Sequence, residues 1–260
     1  MRHVATSARG GLVSARATAR VNIALAKYWG KSDVRRNLPA VPSVSLTLEE
    51  LVTQTEVSFV PDLGRDRLVL DGQVAGWRQQ ARVVALPDRV RHMAGFAHKA
   101  IVNSDNRFPT AAGLASSASG LAALAAAATK RSRKTSPYYG AWLSSAPGWS
   151  ETVKQAIRKR DLESLGVAME QSTLDFHWCA ITSQPSTLYW GPGTMAALHT
   201  VARLRSEGVS VWSTMDAGPH VKALCEAKDA PQVSEALAQT PGVLSTLISA
   251  PGAEILVEGG

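Results

Sequence analysis

The sequence predicts a two-lobed α+β chain divided near residue 130. Three observations carry this. Alternating, β-branched segments crowd the first hundred residues, helical spacings dominate the second half with strands among them, and no repeat or low-complexity linker interrupts either part. With 260 residues, 45% of them hydrophobic, the chain can bury one large core or two modest ones. An N-terminal lobe is expected over 1–130 and a C-terminal lobe over 131–260.

Taken in order, Ala15 to Tyr28 reads as a strand. Val44, Leu46 and Leu48 alternate with Ser45 and Thr47, as a half-buried strand requires, and Leu51 to Val60 reads as a second strand. Leu68 to Leu70 runs into Asp71-Gly72, a hairpin turn signal. Residues 80–95 show helical spacing through Val83, Val84, Leu86, Val90 and Met93, with a break or kink expected at Pro87. Ala100 to Ser104 is a short strand, and Gly120 to Ala128 a buried, alanine-rich helix. Further on, Ser150 is placed to cap a helix carrying Val153 and Ile157. Leu162, Leu165 and Met169 mark another helix. Met195, Leu198, Val201 and Leu204 mark a third, ended by Gly208. Val209 to Met215, Val243 to Ile248 and Glu254 to Val257 are expected strands.

Composition excludes several classes. The balance is that of a globular chain, and no apolar run approaches the roughly 20 residues of a membrane span. The net charge of +7 suits an anionic partner, yet the cations are scattered apart from Lys130, Arg131, Arg133 and Lys134. Without a basic stripe and interleaved aromatics, small phosphorylated substrates are expected rather than nucleic acid or a membrane. Cys179 and Cys225 lack metal-ligand spacing and suggest a reducing, cytoplasmic setting. The first 32 residues contain Arg2, Arg9, Arg16 and Arg20 but no acid, a composition shared with transit peptides. Because a strand already begins near Ala15, only the first dozen or so residues are read as a loose tail.

Three segments could carry chemistry. Pro109-Thr-Ala-Ala-Gly-Leu-Ala-Ser-Ser-Ala-Ser-Gly120 is a loop of small residues running into a helix. Small side chains admit a phosphate close to the backbone, and the helix start presents free N–H groups. The serines Ser116 and Ser117 could equally cap a packed helix. The absence of Gly-Lys-Ser/Thr separates the loop from a Walker loop. Val21 to Lys31 brings Lys27, Tyr28 and Lys31 to a strand end, suited to an anion, although plain surface lysines and a core Trp29 would read the same. Thr214-Met-Asp-Ala-Gly-Pro-His220 ends a strand at Asp216, which either stands at the lip of a sheet or caps a helix following Pro219.

In chain order the three segments resemble the diphosphomevalonate decarboxylase family of the GHMP small-molecule kinases. Asn22-Ile-Ala followed by Lys27-Tyr-Trp-Gly-Lys31 is similar to that family's opening signature, and Asn37 to Leu48 to the segment after it. The Pro109–Gly120 loop resembles its ATP loop, and Asp216-Ala-Gly-Pro219 its aspartate motif. Thr135 to Tyr139 and Leu188-Tyr-Trp190 resemble its C-terminal half. The resemblance implies a two-lobed GHMP fold, with a ribosomal-protein-like N-terminal lobe and a ferredoxin-like C-terminal lobe. It implies ATP and Mg²⁺, with Pro109, Ala111, Ala112, Gly113, Leu114, Ala115, Ser116 and Ser117 against the nucleotide. Asn22, Tyr28, Trp29 and Lys31 would contact mevalonate 5-diphosphate, Asp216 and Lys27 would be catalytic, and the assembly would be a cytoplasmic homodimer.

Two departures stand out. His220 occupies a position where the family usually has Asn. The chain also passes from Thr129-Lys130 straight to Arg131-Ser-Arg-Lys-Thr-Ser-Pro137, without the family's Gly-Ser-Gly-Ser-Ala segment, its substrate-binding Arg and a second Ser-rich loop. Deleting strands from a sheet should exceed a domain's net stability of roughly 5–15 kcal/mol. A break, marking residues that exist but are unseen, is therefore expected between Ala128 and Thr135.

Overall fold

The computed structural model describes residues 13–33, 36, 38–107, 120–253 and 256–259. The elements follow one another as β1 (Val13–Ala26), β2 (Lys31–Asp33), β3 (Leu38–Pro39), β4 (Val44–Val60), β5 (Arg67–Leu70), β6 (Gln73–Val74), α1 (Trp77–Ala94), β7 (Lys99–Asn106), α2 (Gly120–Thr135), α3 (Tyr139–Lys159), α4 (Leu162–Ile181), α5 (Pro192–Ser206), β8 (Val211–Met215), β9 (Val221–Cys225), α6 (Ala230–Ala238) and β10 (Leu256–Gly259). A six-stranded sheet has the order β10-β1-β4-β7-β5-β6, with β2–β3 and β8–β9 as separate pairs. The mixed helix and strand content is the α+β class expected.

Two compact units interleave along the chain, where the sequence predicts one cut near residue 130. One comprises Met1–Arg20, Leu51–Phe108 and Ala253–Gly260; the other comprises Val21–Glu50 and Pro109–Gly252. In the first, β4 pairs antiparallel with β7, from Thr53 opposite Asn106 to Val60 opposite Lys99, and β5 runs parallel to β7. The hairpin at Asp71-Gly72 is as expected: both residues have positive φ, 47° and 76°, the turn that matches strand twist. Phe59, Leu68, Ala75, Ala100 and Val102 form its core, packed by Val83 and Phe96. Arg91 is buried at 7% exposure. It meets the two Asp66 carboxylate oxygens at 2.9 Å each, and Asp66 also accepts from the Ala100 amide at 2.7 Å.

In the second unit, α3 and α4 pack beside β8–β9. Val21, Ile23 and Leu25 of β1 are buried while Asn22 between them is exposed, the period-two pattern of a strand with one face on a core. Leu25, Ala26, Val153, Ala168, Met169 and Trp212 form one cluster; Trp29, Tyr139, Trp142, Phe176 and Cys179 belong to another. Gly166 lies against the Trp212 indole so closely that an added Cβ would stand 2.0 Å from the ring. Asp161 starts α4 by accepting from the Ser164 amide at 3.0 Å, one of the first-turn donors that have no helical partner.

Several expectations are corrected. Residues 44–60 form one strand, because Glu49 and Glu50 lack the Gly or Pro that would end it. Helix α1 runs through Pro87 without a break. Ser150 caps nothing: it is buried inside α3, which starts at Tyr139. Residues 243–248 are not a strand, and Leu244, at 99% exposure, has no sheet to join. Pro219 precedes β9, not a helix, since Val221 to Cys225 finds a ladder partner in β8. Helix α6 escaped the sequence reading. No break lies between Ala128 and Thr135: α2 runs without interruption, with Ser132 Oγ donating to the Ala128 carbonyl at 3.0 Å and Thr135 Oγ1 to that of Arg131 at 2.9 Å. Alanines followed by Lys130, Arg131 and Lys134 are good helix formers, so the two stretches join smoothly. Both cysteines are free. The N-terminal tail and the residues Pro109, Ala111, Ala112, Gly113, Leu114, Ala115, Ser116 and Ser117 lie outside the described residues.

Candidate active site

Strand β8 delivers Asp216, and α4 pins that strand. Glu170 Oε1 accepts from the Ser213 amide at 2.8 Å and from its hydroxyl at 3.0 Å, while Arg205 donates to Glu170 Oε2 at 2.9 Å. The Thr173 and Thr214 hydroxyls are hydrogen-bonded at 2.9 Å. Beyond Met215 the chain turns sharply, and Thr194 Oγ1 donates to the Pro219 carbonyl at 2.9 Å. The antiparallel register then sets Lys222 opposite Thr214, two residues before Asp216.

Strand β1 brings Lys27 from the other direction. Its amide donates to Ser172 Oγ of α4 at 2.9 Å. Its ammonium donates to the Ala24 carbonyl at 2.7 Å and to Asp216 Oδ1 at 2.8 Å. Lys222 Nζ stands 3.1 Å from Asp216 Oδ2. One carboxylate thus lies between two ammonium groups, with side-chain exposures of 3% for Lys27, 15% for Lys222 and 31% for Asp216.

Burial governs the charges here and the partners correct it. Desolvation lowers the Lys27 ammonium to about 8, against the attraction of Asp216. Burial alone would raise the Asp216 carboxyl; the charges of Lys27 and Lys222 and their hydrogen bonds outweigh it, and the net direction is down. The two directions are compatible, because Asp216 has two cationic partners and Lys27 a single anionic one. At neutral pH the group is an ionised carboxylate with a net cationic surround.

His177 of α4 lies behind this group. It is fully buried, and neither ring nitrogen has a hydrogen-bond partner among the described residues. Its ring centre is 4.1 Å from that of Phe176, 5.2 Å from that of Trp190 and 5.9 Å from that of Tyr189. Desolvation, helped by the Lys27 charge, lowers it to about 3, so it is neutral.

Of the residues singled out from sequence, the structure brings Lys27 and Asp216 into contact. Tyr28 is exposed at 48%, Asn22 is exposed, and Lys31 is half-buried at the start of β2. Trp29 is placed in the core at 4% exposure, its ring centre 5.2 Å from that of Phe176, packed in a cluster with Tyr139, Trp142 and Cys179. Lys222, Ser172, Glu170 and His177 were missed. Lys222 did carry a signal, as the one charge in the apolar run Val-Lys-Ala-Leu-Cys, and His177 sits four and eight residues beyond Thr173 and Met169 on the buried face of α4.

Known families match both halves of the chain. Residues 19–137 match the diphosphomevalonate decarboxylase-like N-terminal domain, and residues 122–249 match the mevalonate 5-diphosphate decarboxylase C-terminal domain. The chain belongs to the diphosphomevalonate decarboxylase family. Among relatives, the phosphomevalonate decarboxylase of Haloferax volcanii is 43% identical over 40% of this chain and 32% of its own length. The diphosphomevalonate decarboxylase of Eremothecium gossypii is 43% identical over 44% of this chain and 32% of its own. The matches thus span about a third of these curated relatives. Among solved structures, the mevalonate diphosphate decarboxylase from Enterococcus faecalis shows a TM-score of 0.85 at 28% identity, covering 96% of this chain and all of that one. A structure described as MDDEF in complex with MVAPP, AMPPCP and magnesium gives 0.83 at 28% identity, with the same coverage. The likeness establishes the GHMP kinase fold for this diphosphomevalonate decarboxylase family member. Among the described residues no helix is long and apolar enough to cross a membrane.

Proposed function

We propose that the chain catalyses ATP-dependent decarboxylation of mevalonate 5-diphosphate to isopentenyl diphosphate, with release of ADP, phosphate and CO₂. The observation that carries this is the Asp216 carboxylate held between Lys27 and Lys222, in a chain whose two halves both match domains of that family. In this reading Asp216 accepts the hydrogen bond, and then the proton, of the tertiary 3-hydroxyl as its oxygen bonds to the γ-phosphorus and ADP leaves. The C3–O bond then breaks with phosphate as leaving group, the carboxylate departs as CO₂, and its electron pair forms the new double bond. A tertiary alcohol is a poor nucleophile, so alignment and charge neutralisation are the protein's main contributions.

Asn22, Tyr28, Trp29 and Lys31 were expected at the substrate. Lys31 and Tyr28 keep that role in the proposal because their side chains are accessible; the burial of Trp29 supports a role in holding Lys27's strand end. The loop residues Pro109 to Ser117 are proposed for the ATP phosphates on their small-residue pattern. Magnesium is proposed to enter with ATP, and the cationic pair around Asp216 suits phosphate oxygens. The two-lobe division near residue 130 is supported by the overlap of the two domain matches at residues 122–137. A homodimer is supported by the exposed Leu174 and Trp178, one turn apart on α4. A cytoplasmic setting is supported by the free thiols.

A second reading has its own observation. The relative from Haloferax volcanii is a phosphomevalonate decarboxylase, so mevalonate 5-phosphate is the alternative substrate. The short span of the matches supports a third, a binding scaffold that keeps the fold. One experiment separates them: incubation with ATP and mevalonate, its 5-phosphate or its 5-diphosphate, following CO₂. Release from the diphosphate alone supports the proposal; release from the monophosphate selects the second reading, and ATP binding without CO₂ the third.

A further inference from the structure

The two ammonium groups at Asp216 differ in freedom. Lys27 is 3% exposed, and its Nζ is tied to the Ala24 carbonyl at 2.7 Å as well as to Asp216. It cannot leave without stranding a buried charge. Lys222 is 15% exposed, sits next to the β8–β9 turn, and among the described residues its Nζ meets Asp216 alone, at 3.1 Å. Asp216 itself is open on one side, at 31% exposure.

This arrangement poses a chemical problem. A carboxylate gripped by two ammonium groups is a weak base, and the direction found for Asp216, down despite its burial, expresses that. The proposed reaction asks the same carboxylate to take up a hydroxyl proton. The groups facing it are Lys27 from the end of β1, Lys222 from β9 and His177 from α4, while His220 in the turn interacts with Lys222. His177 is buried and neutral, and burial, with the Lys222 charge, also holds His220 below its ordinary value. The adjustable charge is therefore Lys222.

We propose that Lys222 is an exchangeable counter-cation. In the free protein it holds Asp216 ionised and oriented, and when substrate binds it passes to an oxyanion of that substrate, leaving Asp216 paired with Lys27 and free toward the hydroxyl. The proposal rests on the decarboxylase reading for the identity of the hydroxyl, but not for the exchange. Lys222 keeps its three protons throughout; an ion pair is traded, and no covalent bond changes. The oxyanion is a phosphate or the substrate's carboxylate.

The full chain, labelled with ¹³C at aspartate carboxyls, tests this by NMR titration, with the Asp216 signal assigned by its loss in Asp216→Asn. Inorganic pyrophosphate and acetate serve as probes for the two oxyanions. The Asp216 midpoint is expected to rise by about one unit with the anion that captures Lys222, the size of effect of removing one close opposite charge. In Lys222→Met the midpoint should already be raised in the free protein and should no longer respond, whereas Lys222→Arg should restore the low value. Lys222→Gln replaces the Met variant if that one fails to fold, as judged by its melting transition. A midpoint that neither anion moves, or a full rise retained without the Lys222 charge, overturns the proposal. Because the titration needs no turnover, an intact rise with no CO₂ release defeats the reaction and leaves the exchange standing. Turnover with no rise does the reverse.

Discussion

At the residue scale, the site turns on one carboxylate and the cation it cannot lose. Asp216→Asn keeps the shape and removes the proton acceptor, so turnover should fall by about 10²-fold or more while nucleotide affinity, measured by calorimetry, is retained. Lys27 makes a pH prediction whose sign is definite. Burial lowers its ammonium from 10.5 to about 8, so the charge is lost in the folded protein as pH rises through about 8, and turnover should decline on that alkaline limb. Lys27→Arg, which stays charged, should abolish the limb even if its absolute rate is lower. The stability effect runs the other way. Between about 8 and 10.5 the unfolded chain holds a proton at this lysine that the folded chain has released, so this residue's contribution to stability rises with pH across that window. Denaturant midpoints at pH 7.5 and 9.5, compared between wild type and Lys27→Arg, check that sign. Sequence showed Lys27 and Asp216 as candidates, since each sits in a recognisable segment. It did not show Lys222 or His177, whose neighbours at Asp216 come from other elements.

At the element scale, α4 is the part on which the site depends. It carries Ser172 beneath Lys27, and Glu170 and Thr173 against β8. Gly166 lets the Trp212 ring of β8 approach that helix, and any side chain there would meet the indole at 2.0 Å. Gly166→Ala should therefore destabilise by about 1–3 kcal/mol despite its better helix propensity, measured by urea denaturation. A surface glycine with open space, such as Gly148 in α3, is the control: Gly148→Ala should stabilise slightly or leave the midpoint unchanged. The proposed nucleotide loop gives another test. Gly113→Val should weaken ATP binding more than Ser116→Ala, because a β-branched side chain blocks the close approach a phosphate needs. Unchanged affinity in both would leave the loop a packing feature.

At the scale of the whole molecule, ligand binding and stability are linked. A ligand at about 100 times its Kd should add about 2.7 kcal/mol to folding stability. Mevalonate 5-diphosphate with MgATP should accordingly raise the melting temperature of the wild type, and MgATP alone should still raise that of Asp216→Asn, which keeps the proposed nucleotide loop. A melting temperature indifferent to both ligands would sink the catalytic and scaffold readings together. The continuity of α2 bears on the same question. Helix α2 runs from Gly120 to Thr135 across residues 122–137, which the two domain matches share, so a ligand-induced shift would report on the residues of both matches.

The α+β class, the strand at Ala15–Tyr28, the Asp71-Gly72 hairpin and the helices carrying Met169 and Val201 were legible in the sequence, because period-two and period-3.6 burial and turn chemistry are local properties. So were Lys27 and Asp216, through the segments that hold them. Tertiary structure alone decided the rest. Trp29 went to the core because of what packs on it, Val221 to Cys225 became a strand because β8 offered a ladder, and residues 243–248 stayed irregular because no strand did. Above all, the approach of Lys27, Asp216 and Lys222 within 3.1 Å joins residues up to 195 positions apart. Their pairing depends on register and helix packing, which no local pattern encodes.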